Sequence, residues 1–307
     1  MTDPRVGVGL PIAGAWATPD NLRHVARRAD ELGYASLWTF QRLLHPVDED
    51  WGPTYQAVLD PITALSHAAA LTSRIRLGLA VVNLPWYAPI VLAKSLTALD
   101  ILSDGRLDVG LGLGWAPQEF AAVGVSSARR GARGEEFVAC LKAIWTDPEV
   151  EFHGSFYDLP RARVEPKPTQ QPHPPLLLGG MAEVALRRAG RIADGWISSS
   201  RTDLTTIGSS IELVRSAAVE ADRDPAALRF VVRGVVRLRP DGAGANRKPL
   251  QGTADQIRDD LAALGGEGVT EVFLDLNYDP RIVSGEWDPA AALEHAELLL
   301  TELAPAG

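Results

Sequence analysis

The sequence predicts an α/β chain closed into a (β/α)8 barrel, and three observations carry that prediction. Short apolar runs of the buried-strand type recur eight times, each is followed by a longer stretch of helical periodicity, and no linker-like segment divides the 307 residues. Eight consecutive βα units are one more than a doubly wound sheet usually holds, and barrels of this kind run to about 250 residues or more as one domain. We therefore read residues 1–307 as a single domain.

The strands are placed at 5–10 "RVGVGL", 34–39 "YASLWT", 75–82 "IRLGLAVV", 107–112 "LDVGLG", 175–179 "PLLLG", 195–199 "GWISS", 229–236 "RFVVRGVV" and 270–275. Between and after them, helices are expected near 20–32, 60–72, 88–102, 133–146, 182–193, 203–221, 253–265 and 289–303. Thr18-Pro19-Asp20 and Asp60-Pro61 are helix-start signals, and Gly33 and Gly265 are stop signals. Three insertions stand out: 113–132 after strand four, 147–174 before strand five and 237–252 after strand seven. The second contains "VEFHGSFYDL", whose period-two alternation about a glycine predicts a hairpin. The third is rich in Gly, Pro and charge and reads as a mobile loop or lid.

Composition bounds the function classes. A formal charge of −9 disfavours nucleic acid and anionic membranes as partners, and the one arginine cluster, 128–136, is followed at once by acids. Leu77 to Ala93 runs without a charge, but Pro85, Pro89 and the β-branched "GLAVV" fit strand, loop and helix better than a membrane span. No secretory signal is readable, so a cytoplasmic location is expected. Cys140 is the only cysteine, which excludes an internal disulfide, and its helical spacing with Phe137, Leu141 and Ile144 predicts a buried thiol.

In such barrels the loops that follow the strands build the active site. Here those loops carry glycines, amides and tryptophans: "FQRLLHP" (40–46), "VNLPWY" (82–87), "GLGWAPQEF" (112–120), "GGMAE" (179–183) and "SSSR" (198–201). Paired carboxylates, a zinc helix, a serine nucleophile elbow and a His/Cys cluster are all missing. A large planar cofactor that brings its own chemistry suits this mouth, with a small molecule as substrate. Gly110, Gly112 and Gly114 fail the dinucleotide fingerprint because Trp115 stands where a third spaced glycine belongs, which leaves a strand whose end opens into a ligand-sized space. Gly179-Gly180 precedes a helix and reads either as a phosphate cradle or as an ordinary tight turn.

Several blocks together make the chain resemble the bacterial luciferase-like family of flavin and deazaflavin oxidoreductases, over nearly its whole length. They are "GYASLWTFQRLL" (33–44), 74–120, "ARRGARGEEFVACLKAIW" (128–145), "FHGSFYDL" (152–159) and 174–199. The chain looks more like the branch that uses coenzyme F420 than like members that use FMN. The resemblance implies a bulge with a non-prolyl cis peptide at Ala80-Val81, followed by Asn83, behind the ring. It implies phosphate contacts at Gly179, Gly180 and Met181, and ring-edge contacts at Gly112, Gly114 and Gln118.

Departures from the family pattern narrow the substrate. Relatives that oxidise sugar phosphates carry an Asp-His pair after strand two and a Glu in the strand-four loop; this chain has Gln41-Arg42 and Trp115 there. Gln41 is expected at a ring edge or cofactor hydroxyl, and Arg42 at a phosphate or in an exposed salt bridge. His45 is the acid-base candidate by position, with a plain loop histidine as the alternative. Trp16, Trp86 and Trp115 are candidates for substrate-pocket walls, and Glu119 is expected to order its loop. A metal is not expected. The resulting expectation is hydride transfer between F420 and an organic substrate; an FMN-dependent monooxygenase with a separate reductase, or a barrel that binds flavin or another ligand without turnover, are the alternatives. The family resemblance also implies a homodimer paired through the Ala- and Leu-rich second and third helices, and sedimentation of a monomer at micromolar concentration would count against it.

Overall fold

Apolar β-branched and leucine-rich runs with small residues between them make strands that are buried on both faces, and eight such strands close on themselves here. The computed structural model describes residues 3–242, 244 and 247–305. Its barrel strands are Arg5–Gly9, Ser36–Thr39, Arg76–Leu79, Leu107–Gly112, Leu176–Gly179, Gly195–Ile197, Arg229–Gly234 and Glu271–Leu274. All neighbours pair in parallel, the third with the fourth (Leu77 opposite Leu107) and the eighth with the first (Val272 opposite Val6), so the ring is complete.

The helices are Pro19–Glu31, Pro61–Ala69, Pro89–Leu102, Arg130–Thr146, Glu183–Ile192, Ile207–Val219, Ala254–Gly266 and Pro289–Glu302. Thr18 and Asp60 cap the first two through the N–H groups of Asn21 and Thr63, as their sequence signals predict. Gly33 ends the first helix at φ 81°, whereas the seventh runs through Gly265 and the turn falls at Gly268, φ 92°. Short helices at Pro117–Ala122 and Pro280–Val283 had no clear periodic signal because each is under two turns. The predicted hairpin forms from Val150–His153 and Asp158–Ala162; its turn N–H groups at Ser155, Phe156 and Tyr157 donate to the Glu136 carboxylate at 2.7–2.9 Å. The third insertion is tied at its base by Arg237–Leu238 pairing with Gln251–Gly252, and the lid expected there includes residues 243, 245 and 246, which lie outside the described residues. No described helix is long and apolar enough to cross a membrane. Cys140 is buried in the core, and burial pushes its thiol up to about 11.

Where the strands begin, the barrel interior is filled by charge. Asp108 accepts two hydrogen bonds from Arg76 (2.9 and 2.7 Å) and two from Arg229 (2.6 and 3.1 Å). Glu271 accepts from Ser36 Oγ at 2.6 Å, Trp38 Nε1 at 3.0 Å and Arg229 at 3.2 Å, and pairs with Arg5 at 2.8 Å. Burial alone would raise the Asp108 carboxyl, but the bonds from Arg76 and the charge of Arg229 overcome it and hold the group below the usual range. Such a network adds little net stability over an apolar plug, yet removing one member strands its partners.

Where the fifth strand ends, the chain turns sharply into its helix. Gly180 sits at φ 150°, and a Cβ there would overlap the Cβ of Ala185. The turn therefore needs glycine for two separate reasons.

Two outcomes follow. Asp108→Asn destabilises the fold by about 3–5 kcal/mol near neutral pH. Because the folded carboxyl titrates below its unfolded value of about 3.9, the deficit persists down to roughly pH 4 and shrinks only below it. Denaturant unfolding at a series of pH values reads both, and a deficit already fading at neutral pH contradicts the assignment. Gly180→Asp, a change helix starts otherwise tolerate, costs about 1 kcal/mol or more of stability at this φ. Urea unfolding of the variant shows it, and an unchanged midpoint would mean that the turn relaxes freely.

Candidate functional site

At the other end of the barrel, the strand ends and their loops enclose a cavity of about 520 Å³. Its floor is a bulge. The third strand stops at Leu79, passes through a cis peptide at Ala80-Val81, and resumes at Val82–Asn83 beside the fourth strand, with Val82 opposite Leu111 and Asn83 opposite Gly112. Gln41 locks the bulge: its Oε1 accepts the Asn83 N–H at 2.9 Å and its Nε2 donates to the Tyr87 hydroxyl. The Asn83 side-chain amide has no protein partner among the described residues and borders the cavity.

The strand-four glycines serve this bulge first. A Cβ on Gly110 would overlap the Leu79 carbonyl, and one on Gly112 would overlap Val81 and crowd Asn83 Oδ1. Their bare backbone is filled by protein, and of the two only Gly112 also borders the cavity. Gly114, at φ 71°, borders it as well.

Beneath the bulge lies Arg233, 5% exposed. Its Nη2 donates to the Ala80 carbonyl, and its Nη1 to Asp275 at 3.0 Å and to the Tyr278 hydroxyl at 3.1 Å. The rings of Phe40, Phe273 and Tyr278 lie 5.1–5.2 Å from the guanidinium carbon. Burial lifts the Asp275 carboxyl above its usual range even against Arg233 and Asn277.

One end of the cavity suits an anion. Gly179, Gly180 and Met181 lead into the helix Glu183–Ile192, which has no side-chain cap and whose first residues border the cavity. Arg130 and Arg188 border the same end. The acids after the arginine cluster do not neutralise it: Glu135 pairs with Arg188 and Arg191, and Glu136 holds the hairpin turn. Arg129, Arg130 and Arg133 have no carboxylate partner among the described residues.

The opposite end is aromatic. Trp115 packs 5.0 Å from Trp51, with the guanidinium carbons of Arg42 and Arg201 at 4.7 and 5.2 Å from its ring. Arg42 also covers Tyr55 at 4.9 Å and donates from Nη1 to Glu119 at 2.8 Å. Glu119 is fully buried and accepts the Leu43 N–H at 2.8 Å, which fastens the strand-two loop to the strand-four loop. Burial raises its carboxyl, opposed by Leu43 and Arg42. Arg42 is thus a buried ion-pair partner, neither exposed nor at the anion end. Together with Tyr55 it separates this cavity from a neighbouring one of about 350 Å³. The Tyr55 and Tyr278 hydroxyls lie 3.0 Å apart, and burial pushes the Tyr278 phenol far above its ordinary value.

Of the residues singled out in the sequence, Gln41, Ala80, Val81, Asn83, Gly112, Gly114, Gly179, Gly180 and Met181 converge on the cavity. His45 and Gln118 do not border it: His45 Nε2 accepts the Trp51 N–H at 3.3 Å, and Gln118 donates to Glu49. Trp16 is fully buried and donates to Asn277, and among the three tryptophan candidates Trp115 alone lines the space. Sequence reasoning passed over Arg233, Tyr55 and Tyr278. An arginine in the interior of "RFVVRGVV" is a signal for the first; the tyrosines lie in stretches with no pattern to mark them.

The chain matches the family described as luciferase-like monooxygenase over residues 2–292. An uncharacterized protein of Mycobacterium tuberculosis is 36% identical over 215 residues, 68% of this chain and 74% of that protein. An FMNH2-dependent dimethylsulfone monooxygenase of Pseudomonas putida is 34% identical over 158 residues, 50% of this chain and 43% of that one. An F420-dependent secondary alcohol dehydrogenase, in complex with an F420-acetone adduct, superposes with a TM-score of 0.78 at 17% identity, covering 99% and 100% of the two chains. With a closed barrel, a cis-peptide bulge beneath its mouth and a family match over nearly its whole length, the chain belongs to the luciferase-like monooxygenase family.

Proposed function

We propose that the protein is an oxidoreductase that exchanges a hydride between coenzyme F420 and a small or medium organic substrate. The observation that carries this reading is the division of the cavity into a backbone platform, an open helix start with a basic rim, and an aromatic end. A flavin-type ring fits the platform, where Ala80, Val81, Gly112 and the unpartnered Asn83 amide face the space. A phosphate fits Gly179, Gly180 and the uncapped first turn of the helix that follows, with Arg130 and Arg188 beside it. When bound, the deazaflavin supplies a hydride donor or acceptor at its C5 carbon.

F420 is preferred over FMN on one feature. FMN ends at its phosphate, whereas F420 continues into a tail of several carboxylates, and beyond Arg130 at the cavity lie Arg129 and Arg133, over the Phe156 ring at 4.7 and 5.2 Å and without an ion pair among the described residues. An FMN-dependent monooxygenase that uses oxygen and a separate reductase is the second reading, favoured by the 34% identity to the FMNH2-dependent enzyme.

The protein's own share of the chemistry is orientation and one proton. Arg233 donates to the Tyr278 oxygen, so the Tyr278 hydroxyl is free to donate to Tyr55, and the Tyr55 hydroxyl to donate into the cavity. Tyr55, which borders the cavity, takes the proton role expected of His45, which does not.

Purification from a host that makes both cofactors, followed by absorbance and mass of what is retained, tests the cofactor. F420 is expected; retained FMN moves the protein to the second reading, and neither ligand to a barrel without turnover. Arg129 and Arg133 both replaced by Gln should weaken F420 by about ten-fold and leave FMN unchanged. Tyr55→Phe should lower kcat by roughly 100-fold at unaltered cofactor affinity, as loss of a general acid does. An unchanged kcat removes Tyr55 from the proton path.

A further inference from the structure

Arg42 is a buried side chain of the aromatic end whose donors are not all spent among the described residues. Its guanidinium is buried, with 8% of the side chain exposed, and one nitrogen is committed to Glu119. The Nε–H is buried without an acceptor, and Nη2 has no acceptor among the described residues. Tyr55, Trp51 and Trp115 cover the group at 4.9, 5.6 and 4.7 Å, so its polar edge has few directions left, and it borders the cavity. A guanidinium fixed in this way by a carboxylate and by ring faces is preorganised to receive a second oxygen anion.

A second arginine lies at this end. Glu119 balances one cation, while Arg201, 5.2 Å from the Trp115 ring and bordering the same cavity, has no carboxylate partner among the described residues. The end holds Arg42, Arg201 and the buried Glu119, with Glu49 at its outer edge accepting from Trp51 Nε1 at 2.9 Å, and is walled by Phe40, Tyr55, Trp115 and Tyr278. Flat walls with an unanswered cation select a flat anion.

We infer that Arg42 anchors the substrate and that the substrate is a planar aromatic compound bearing an anionic oxygen, a carboxylate or its equivalent. Glu119 is then a positioning residue: it touches Arg42 and the Leu43 backbone rather than the substrate. This inference rests on the reading of the other end of the cavity as the cofactor site, because only that leaves the aromatic end for substrate.

Benzoate and its neutral counterpart benzamide are the probes, titrated into the cofactor-free protein and into protein loaded with F420 or FMN, with quenching of tryptophan fluorescence as the signal. Wild type should bind benzoate at least about ten-fold more tightly than benzamide. Arg42→Met combined with Glu119→Gln removes both buried charges together, so no lone carboxylate is left to unfold the loops. In that variant the preference for benzoate should vanish while benzamide binding and cofactor affinity stay as in wild type. Arg42→Lys, which keeps the charge but loses the fork, should retain only part of the preference. Equal binding of the two probes by wild type, or an undiminished preference in the double variant, overturns the inference. A protein that takes up neither cofactor but still discriminates the probes through Arg42 overturns the cofactor reading alone.

Discussion

A single buried guanidinium, that of Arg233, holds the site together. It reaches from the seventh strand across the barrel to the Ala80 carbonyl of the third, and to Asp275 and Tyr278 after the eighth. A charge 5% exposed is tolerable only when nearly every direction around it is answered, here by a carboxylate, a carbonyl, a hydroxyl and three ring faces. Of those groups, Ala80, Phe40 and Tyr278 border the cavity, as floor and as part of its aromatic wall. The need to satisfy one cation therefore fixes the relative positions of the platform and the proposed proton-donating tyrosines.

The barrel has a second charged centre at its opposite end, where Asp108 and Glu271 gather Arg5, Arg76 and Arg229. Between the two lies an apolar layer that includes Trp38, Leu177, Val231 and Phe273. Charge at both ends with hydrocarbon between them resists sliding of one strand past its neighbour, because a shift in register would bring a charge into the layer of the rings.

What the sequence disclosed depended on whether the responsible signal is local. The strands and helices were legible because periodicity repeats along the chain, and the Thr18 and Asp60 caps because the donors they satisfy lie three residues away. The bulge at Ala80-Val81 and the turn at Gly179-Gly180 were legible through the family resemblance. The partners of Arg42, Arg233 and Tyr55 were not, since they come from segments more than forty residues distant or from loops without a period. The glycines illustrate the boundary: their spacing marked the place, but Gly110 and Gly112 are small chiefly because Leu79 and Val81 occupy the room. His45 was chosen by position along the chain, and the Trp51 backbone that claims its nitrogen is visible only in three dimensions.

The wall formed by Arg42 and Tyr55 between the two cavities bears on how such a barrel diversifies. Behind it lies a space of about 350 Å³ lined by residues of the loops after strands one and two, none of which belongs to the bulge or to the helix start at Glu183. Shorter side chains at these two positions would join the chambers without touching the platform. The wall and the platform thus come from different segments of the chain. The bulk of the space open at the mouth can therefore change in such a fold while the surface that the bulge presents stays the same.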